Sequence, residues 1–165
     1  MRFLKLIIGS VAILFVIATL LGALLPSHVL VSRAVNIAAP TDTVKSYIQD
    51  VNQWRAWVEG MKDSSVVVYT AQKAKLGNSA VTITGITDST VISQWVGRNG
   101  TQQTATMRLI GSPGQKLTVV QWQFEQKLKW YPWEKLGSMM NDKILGTMME
   151  RNLNHLKELL EHPQQ

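Results

Sequence analysis

From Leu6 to Leu25 the chain reads LIIGSVAILFVIATLLGALL, twenty residues without a charge. A helix rising about 1.5 Å per residue carries such a run across roughly 30 Å, the thickness of a bilayer's hydrocarbon core. Arg2 and Lys5 precede it, the positive flank shared by secretory signals and uncleaved signal anchors. A secretory signal has an apolar region of roughly 7 to 15 residues that ends at small residues. This run is longer, and its best cleavage site, Leu21-Gly22-Ala23, puts a leucine where a small side chain is required. Residues 1–27 therefore read as a transmembrane signal anchor that stays in the protein. Within the first dozen residues beyond the run only Arg33 opposes Arg2 and Lys5, so the positive-inside rule puts the amino terminus in the cytoplasm. The expected location is the inner (cytoplasmic) membrane, single-pass, with the remaining domain on the extracytoplasmic side.

Beyond the anchor lies about one domain's worth of chain, since the whole protein has 165 residues. Seventeen basic residues oppose eleven acidic ones, for a net charge of +6. The charges are spread thinly rather than blocked into arms, which disfavours a nucleic-acid partner. There is no cysteine. Disulfide scaffolds, thiolate metal sites, cysteine nucleophiles and acylated or prenylated anchors are thereby excluded.

After Pro26, alternation over Val29, Val31, Arg33, Val35 and Ile37 predicts a strand with one polar interruption. Thr41 or Asp42 can cap a short helix bearing Val44, Tyr47, Ile48 and Val51, and a second short helix or turn holds Trp54 and Trp57. Five β-branched runs succeed these: 65–71, 80–87, 90–96, 102–110 and 116–128. Gly77-Asn78, Asp88-Ser89, Asn99-Gly100 and Pro113-Gly114 punctuate them. Consecutive strands this close form an antiparallel meander. In the last, Val120, Trp122, Phe124 and Leu128 share one face, while glutamines and charges share the other. From Leu136 to about Glu161 the period becomes helical. Met140, Ile144 and Met148 form one stripe, with Leu145, Met149, Leu153, Leu156 and Leu160 beside it. The expected class is α+β, an antiparallel sheet gripping a long terminal helix over residues 28–162, with 163–165 as a tail.

Val31 to Pro40, then Val44, Trp54 and Trp57, resemble the start of the SRPBCC superfamily, the START-like helix-grip proteins described as polyketide cyclase/dehydrase or lipid-transport domains. Val119-Val120-Gln121-Trp122, an aromatic and proline-containing loop, and the run from Met140 through Gly146 and Glu150 to Glu161 are similar to that family's last strand and gripping helix. The resemblance covers residues 29–161 and marks fold more sharply than function, because cavity residues vary within the family. It implies a cavity between sheet and helix for a hydrophobic small molecule or lipid. Residues 72–100 are short and polar for the family, which predicts a small or open pocket.

Of the histidines, His28 and His162 lie at element ends and His155 has no acidic residue spaced to pair with it. No HxH, HExxH, GxSxG or GxGxxG pattern occurs. No catalytic residue, metal site or cofactor is therefore expected. The cavity candidates are Arg33, Tyr69, Trp95, Met107, Arg108, Trp122, Phe124, Met140 and Met148. Methionine fills irregular apolar space, so the same residues also suit a solid core. Arg33, among valines on its strand face, must be paired: either an internal salt bridge or an anionic group of a ligand would do so. Lys127, Lys129, Trp130 and Trp133 combine lysines with interfacial aromatics and read as a membrane-facing loop. The leading reading is a membrane-tethered binding module without covalent chemistry of its own. The alternatives are a cyclase/aromatase-like enzyme on a hydrophobic substrate and a non-catalytic structural or partner-binding envelope protein.

Overall fold

Ten residues of alternating pattern, His28–Ile37, form the first edge of a seven-stranded antiparallel sheet. The computed structural model describes residues 2–24, 27–98, 100–111, 115–129 and 131–162, without the side chains of 2, 132–133 and 136–142. The elements are α1 (Arg2–Leu24), β1 (His28–Ile37), α2 (Thr41–Ile48), a 3-10 turn (Gln53–Ala56), β2 (Val66–Thr70), β3 (Lys73–Leu76), β4 (Ser79–Ile86), β5 (Thr90–Val96), β6 (Gln102–Ile110), β7 (Thr118–Lys127) and α3 (Pro132–Glu161). The strand order β1-β7-β6-β5-β4-β3-β2 is a meander whose last strand turns back to pair with the first. This is an α+β helix-grip fold.

α1 is long and apolar enough to cross a membrane. Its large side chains are exposed, Leu14 at 66% and Leu20 at 64%, so it is no core helix.

The inner face of the sheet is set by period two. In β7, Val120, Trp122 and Phe124 are buried, and across the register Trp122 faces Arg33 on β1 and Met107 on β6. α3 lays Met149, Leu153 and Leu156 against this face. α2 and the 3-10 turn complete the core with Val44, Ile48, Trp54 and Trp57.

Four expectations change. Six strands, not five, come after Met61. β3 was invisible because only Ala74 of its four residues is buried, too short a run for period two to stand out. The terminal helix begins at Pro132, since proline's fixed φ and missing N–H suit a first helical turn. Thr41 does not cap α2; its hydroxyl meets that of Thr118 at 3.2 Å. Ile144 does not join the inner stripe. It is 68% exposed, and the buried face runs through Met149, Leu153 and Leu156. Asn99, Pro113 and Gly114, expected at turns, lie outside the described residues. Gly100 has the positive φ of 71° that a tight turn demands of glycine.

Candidate functional site

Five aromatic rings, from the 3-10 turn and the residue after it, β5 and β7, close into a circuit within the grip. Trp54 stacks on Trp95 at 6.0 Å between centroids and meets Trp57 edge-on at 6.2 Å. Trp57 meets Trp122 edge-on at 5.8 Å. Phe124 closes the loop, 5.4 Å from Trp122 and 5.8 Å from Trp95. Such offset and edge contacts suit the aromatic quadrupole.

Burying an indole strands its N–H unless an acceptor is near. Trp54 Nε1 donates to the Ile48 carbonyl at 3.0 Å, Trp57 Nε1 to the Tyr47 carbonyl at 3.2 Å, and Trp95 Nε1 to Ser93 Oγ at 3.1 Å. Trp122 Nε1, fully buried, has no partner among the described residues. Asn152 of α3 repeats the pattern. Its Oδ1 accepts the Glu59 backbone N–H at 2.8 Å, while its buried Nδ2 has no partner among the described residues. Asn152 thus ties α3 to the segment that carries Trp57. Two buried donors are thus left without a partner among the described residues.

Arg33 extends from β1 toward α3. Its Nε donates to Glu150 Oε1 at 2.6 Å and its Nη1 to the Ser32 carbonyl at 2.8 Å. Gly146, one turn before Glu150, lies beneath the guanidinium, and a Cβ there would overlap it. Glycine at 146 is thus a seat for the arginine. A Gly146→Ala variant regains about 1 kcal/mol of helix propensity but must displace the guanidinium from a partly exposed ion pair worth about 0–1 kcal/mol. Stability by urea unfolding should therefore stay within about 1 kcal/mol of the parent. The Arg33–Glu150 coupling energy from a double-mutant cycle should fall toward zero in the Gly146→Ala background.

Of the expected cavity residues, Trp95, Met107, Trp122 and Phe124 gather on the inner face, with Arg33 at its edge and Met148 half-buried on α3. Two expectations are corrected. Tyr69 is 58% exposed, on the face of β2 opposite the buried Val66. Arg108 alternates outward between buried Met107 and Leu109. The Met140 side chain lies outside the described residues, as do Trp130 and the Trp133 side chain. Trp54, Trp57 and Asn152 join the site although no sequence pattern had assigned them to it. Their signal was weak: two indoles three residues apart in a turn, and an amide inside a leucine stripe.

Lys127 and Lys129 are exposed beside an open groove of about 390 Å³, lined also by Gly100, Thr101, Gln102, Gln126, Leu128 and Glu134. Glu134 holds the Lys129 backbone N–H at 2.8 Å, which fixes the passage from β7 into α3. Among titratable groups, Asp63 has its carboxyl held below the usual range by hydrogen bonds from the Ser65 backbone and hydroxyl. It is an exposed turn residue, away from the aromatic circuit. No group of three or more His, Asp or Glu able to hold a metal occurs among the described residues.

The family model described as polyketide cyclase / dehydrase and lipid transport matches residues 28–161. No curated protein matches the chain. Among solved structures, a START superfamily protein from Mycobacterium smegmatis aligns with a TM-score of 0.64 at 16% identity, over 82% of this chain and 99% of that one. A protein from Nitrosospira multiformis aligns at 0.62 and 13% identity, over 80% and 96%. The di-domain ARO/CYC StfQ from the steffimycin biosynthetic pathway aligns at 0.58 and 9% identity, over 82% of this chain and 51% of that one. At such identities the likeness is one of fold. With the sheet, the gripping helix and the family match all falling on the same stretch, the chain belongs to the polyketide cyclase / dehydrase and lipid transport family.

Proposed function

We propose that this protein is a membrane-tethered module that binds a hydrophobic small molecule or lipid between sheet and α3. α1 serves as its uncleaved anchor and the domain lies on the extracytoplasmic side. The observation that carries the reading is the unpartnered Nε1 of Trp122, set in an aromatic circuit whose three other indoles are all satisfied. An apolar site with one or two convergent donors is the usual form of a ligand pocket. A hydrophobic molecule bearing one acceptor oxygen would satisfy the indole while its apolar body lies among Trp95, Met107 and Phe124. Arg33 is engaged by Glu150, so the ligand's polar end is neutral in this reading and meets an N–H donor rather than a cation.

The test is mass spectrometry of the organic extract from purified full-length protein, parent against Trp122→Phe, which keeps an aromatic ring and deletes the donor. A stoichiometric hydrophobic compound should accompany the parent. Its affinity should fall about five- to tenfold in the variant, the loss expected for one buried hydrogen bond of roughly 1–1.5 kcal/mol, and the amount retained through purification should fall with it. A parent that carries nothing, or equal occupancy in both, would refute the reading. Turnover of the recovered compound by the parent would move the assignment to the cyclase/aromatase class.

A further inference from the structure

The antiparallel register collects one end of the sheet beside the anchor. His28, the first residue of β1, pairs with Lys127, the last of β7. The same end holds the β5–β6 turn, because Val96 pairs with Gln102, and the β3–β4 turn, because Leu76 pairs with Ser79. Only residues 25–27 separate α1 from β1. At about 3.5 Å per residue the tether from Leu24 to His28 reaches at most about 14 Å. If α1 is in the bilayer, this end of the sheet lies at its surface.

The charge is distributed to match. Lys75, Arg98, Lys127 and Lys129 are exposed at this end, with Lys73 at the other end of the short β3, against Asp63, Glu125 and Glu134. Glu134 is engaged by the Lys129 backbone and Glu125 stands 3.6 Å from His28. The far end is balanced, with Asp42, Asp88, Glu158 and Glu161 against Lys45, Arg108, Lys116 and Lys157. Beside the β5–β6 turn a second open groove of about 550 Å³ is lined by Tyr69, Lys73, Lys75, Asn78, Val96 and Gly97. Tyr69 is 58% exposed and Val96 38%. An exposed tyrosine, an exposed valine and two lysines around one groove are the mixture favoured in the headgroup layer.

We infer that this rim is a docking surface for anionic lipid headgroups, with Lys73, Lys75 and Arg98 as contacts in addition to Lys127 and Lys129. The inference rests on the anchoring proposed above. Docking would hold the grip's anchor-side end, with its groove beside Lys127, against the bilayer, so that a hydrophobic ligand could pass without crossing water. It would also explain why Tyr69, which turns away from the buried face of the sheet, is aromatic at an exposed site.

The absence of cysteine makes a single introduced thiol a unique label. The full chain is assembled into nanodiscs of phosphatidylcholine alone or mixed with phosphatidylglycerol. A fluorophore is attached through Asn78→Cys at the rim or Ser89→Cys at the far end, and quenching by headgroup spin-labelled lipid is measured. Strong quenching is expected at Asn78→Cys and weak quenching at Ser89→Cys. The rim signal should increase with phosphatidylglycerol and fade with salt. Combining Lys73→Gln, Lys75→Gln and Arg98→Gln should lower the docked-to-undocked ratio by about fivefold per residue removed. Circular dichroism checks that the variant is folded. Equal quenching at both ends, or a rim signal indifferent to lipid charge in incorporated protein, overturns the docking surface and leaves the anchor standing. Failure of the chain to co-elute with nanodiscs overturns the anchor and the docking surface together. Self-quenching between rim labels without lipid quenching would assign the rim to a second copy instead, and also overturns the proposal.

Discussion

Trp54→Ala should lower the domain's unfolding free energy by about 3–5 kcal/mol, a large part of the roughly 5–15 kcal/mol typical of a domain. Trp54 is fully buried, stacks on Trp95, meets Trp57 edge-on and ties its Nε1 to the Ile48 carbonyl. Its loss removes apolar contact, two ring contacts and a hydrogen bond, and leaves a void that a sheet on one side and helices on the other cannot readily close. Thermal unfolding followed by circular dichroism should show a Tm decrease on the order of 10 °C. Ile144→Ala, at an exposed position of α3, should shift stability by no more than about 0.5 kcal/mol. Similar Tm values for the two variants would mean that Trp54 does not join α2 to the sheet.

Asn152→Asp should cost about 2–4 kcal/mol at neutral pH, and the penalty should shrink as the pH is lowered. Asn152 is 0% exposed, and its Nδ2 has no acceptor among the described residues. A carboxylate there loses its hydration and gains only the Glu59 N–H. Burial disfavours the ionised form, so the folded-state pKa of the introduced acid rises above its unfolded value of about 3.9. Below that value both states are protonated and the penalty is small. As the pH rises past it the unfolded chain releases its proton while the folded chain does not, and stability falls until the folded pKa is reached. Urea midpoints measured from about pH 4 to about pH 8 should therefore decline. A flat profile would place residue 152 in contact with water.

Much of the architecture was legible because it depends on period alone. Alternation through Val31, Val35 and Ile37, and again through Val120, Trp122 and Phe124, marked which strand faces would be buried. The leucine and methionine spacing from Leu145 to Leu160 marked the gripping helix. β3 escaped because Lys73-Ala74-Lys75-Leu76 is too short to display a period, and the helix start escaped because Pro132 reads equally as a breaker or a first-turn residue. Tyr69 and Arg108 failed for another reason. Residue type makes both attractive for a pocket, but a shift of one residue along a strand exchanges the inner face for the outer one, and the pairing with neighbouring strands decided that shift.

By itself, then, the sequence determined an apolar run able to span a bilayer, the α+β order of elements, the faces of the longest strands and the absence of cysteine chemistry. Each is a property of neighbouring residues, read through rise per residue, side-chain period or simple composition. Only the tertiary structure decided that Trp54 and Trp57 close a circuit with Trp95, Trp122 and Phe124, and that one indole of that circuit is left without an acceptor among the described residues. Arg33 likewise found Glu150 across 117 positions of chain, over a glycine whose missing Cβ makes room for it. These relations join residues far apart in sequence, and the shape of the packed interior, rather than local preference, settles which donors are satisfied.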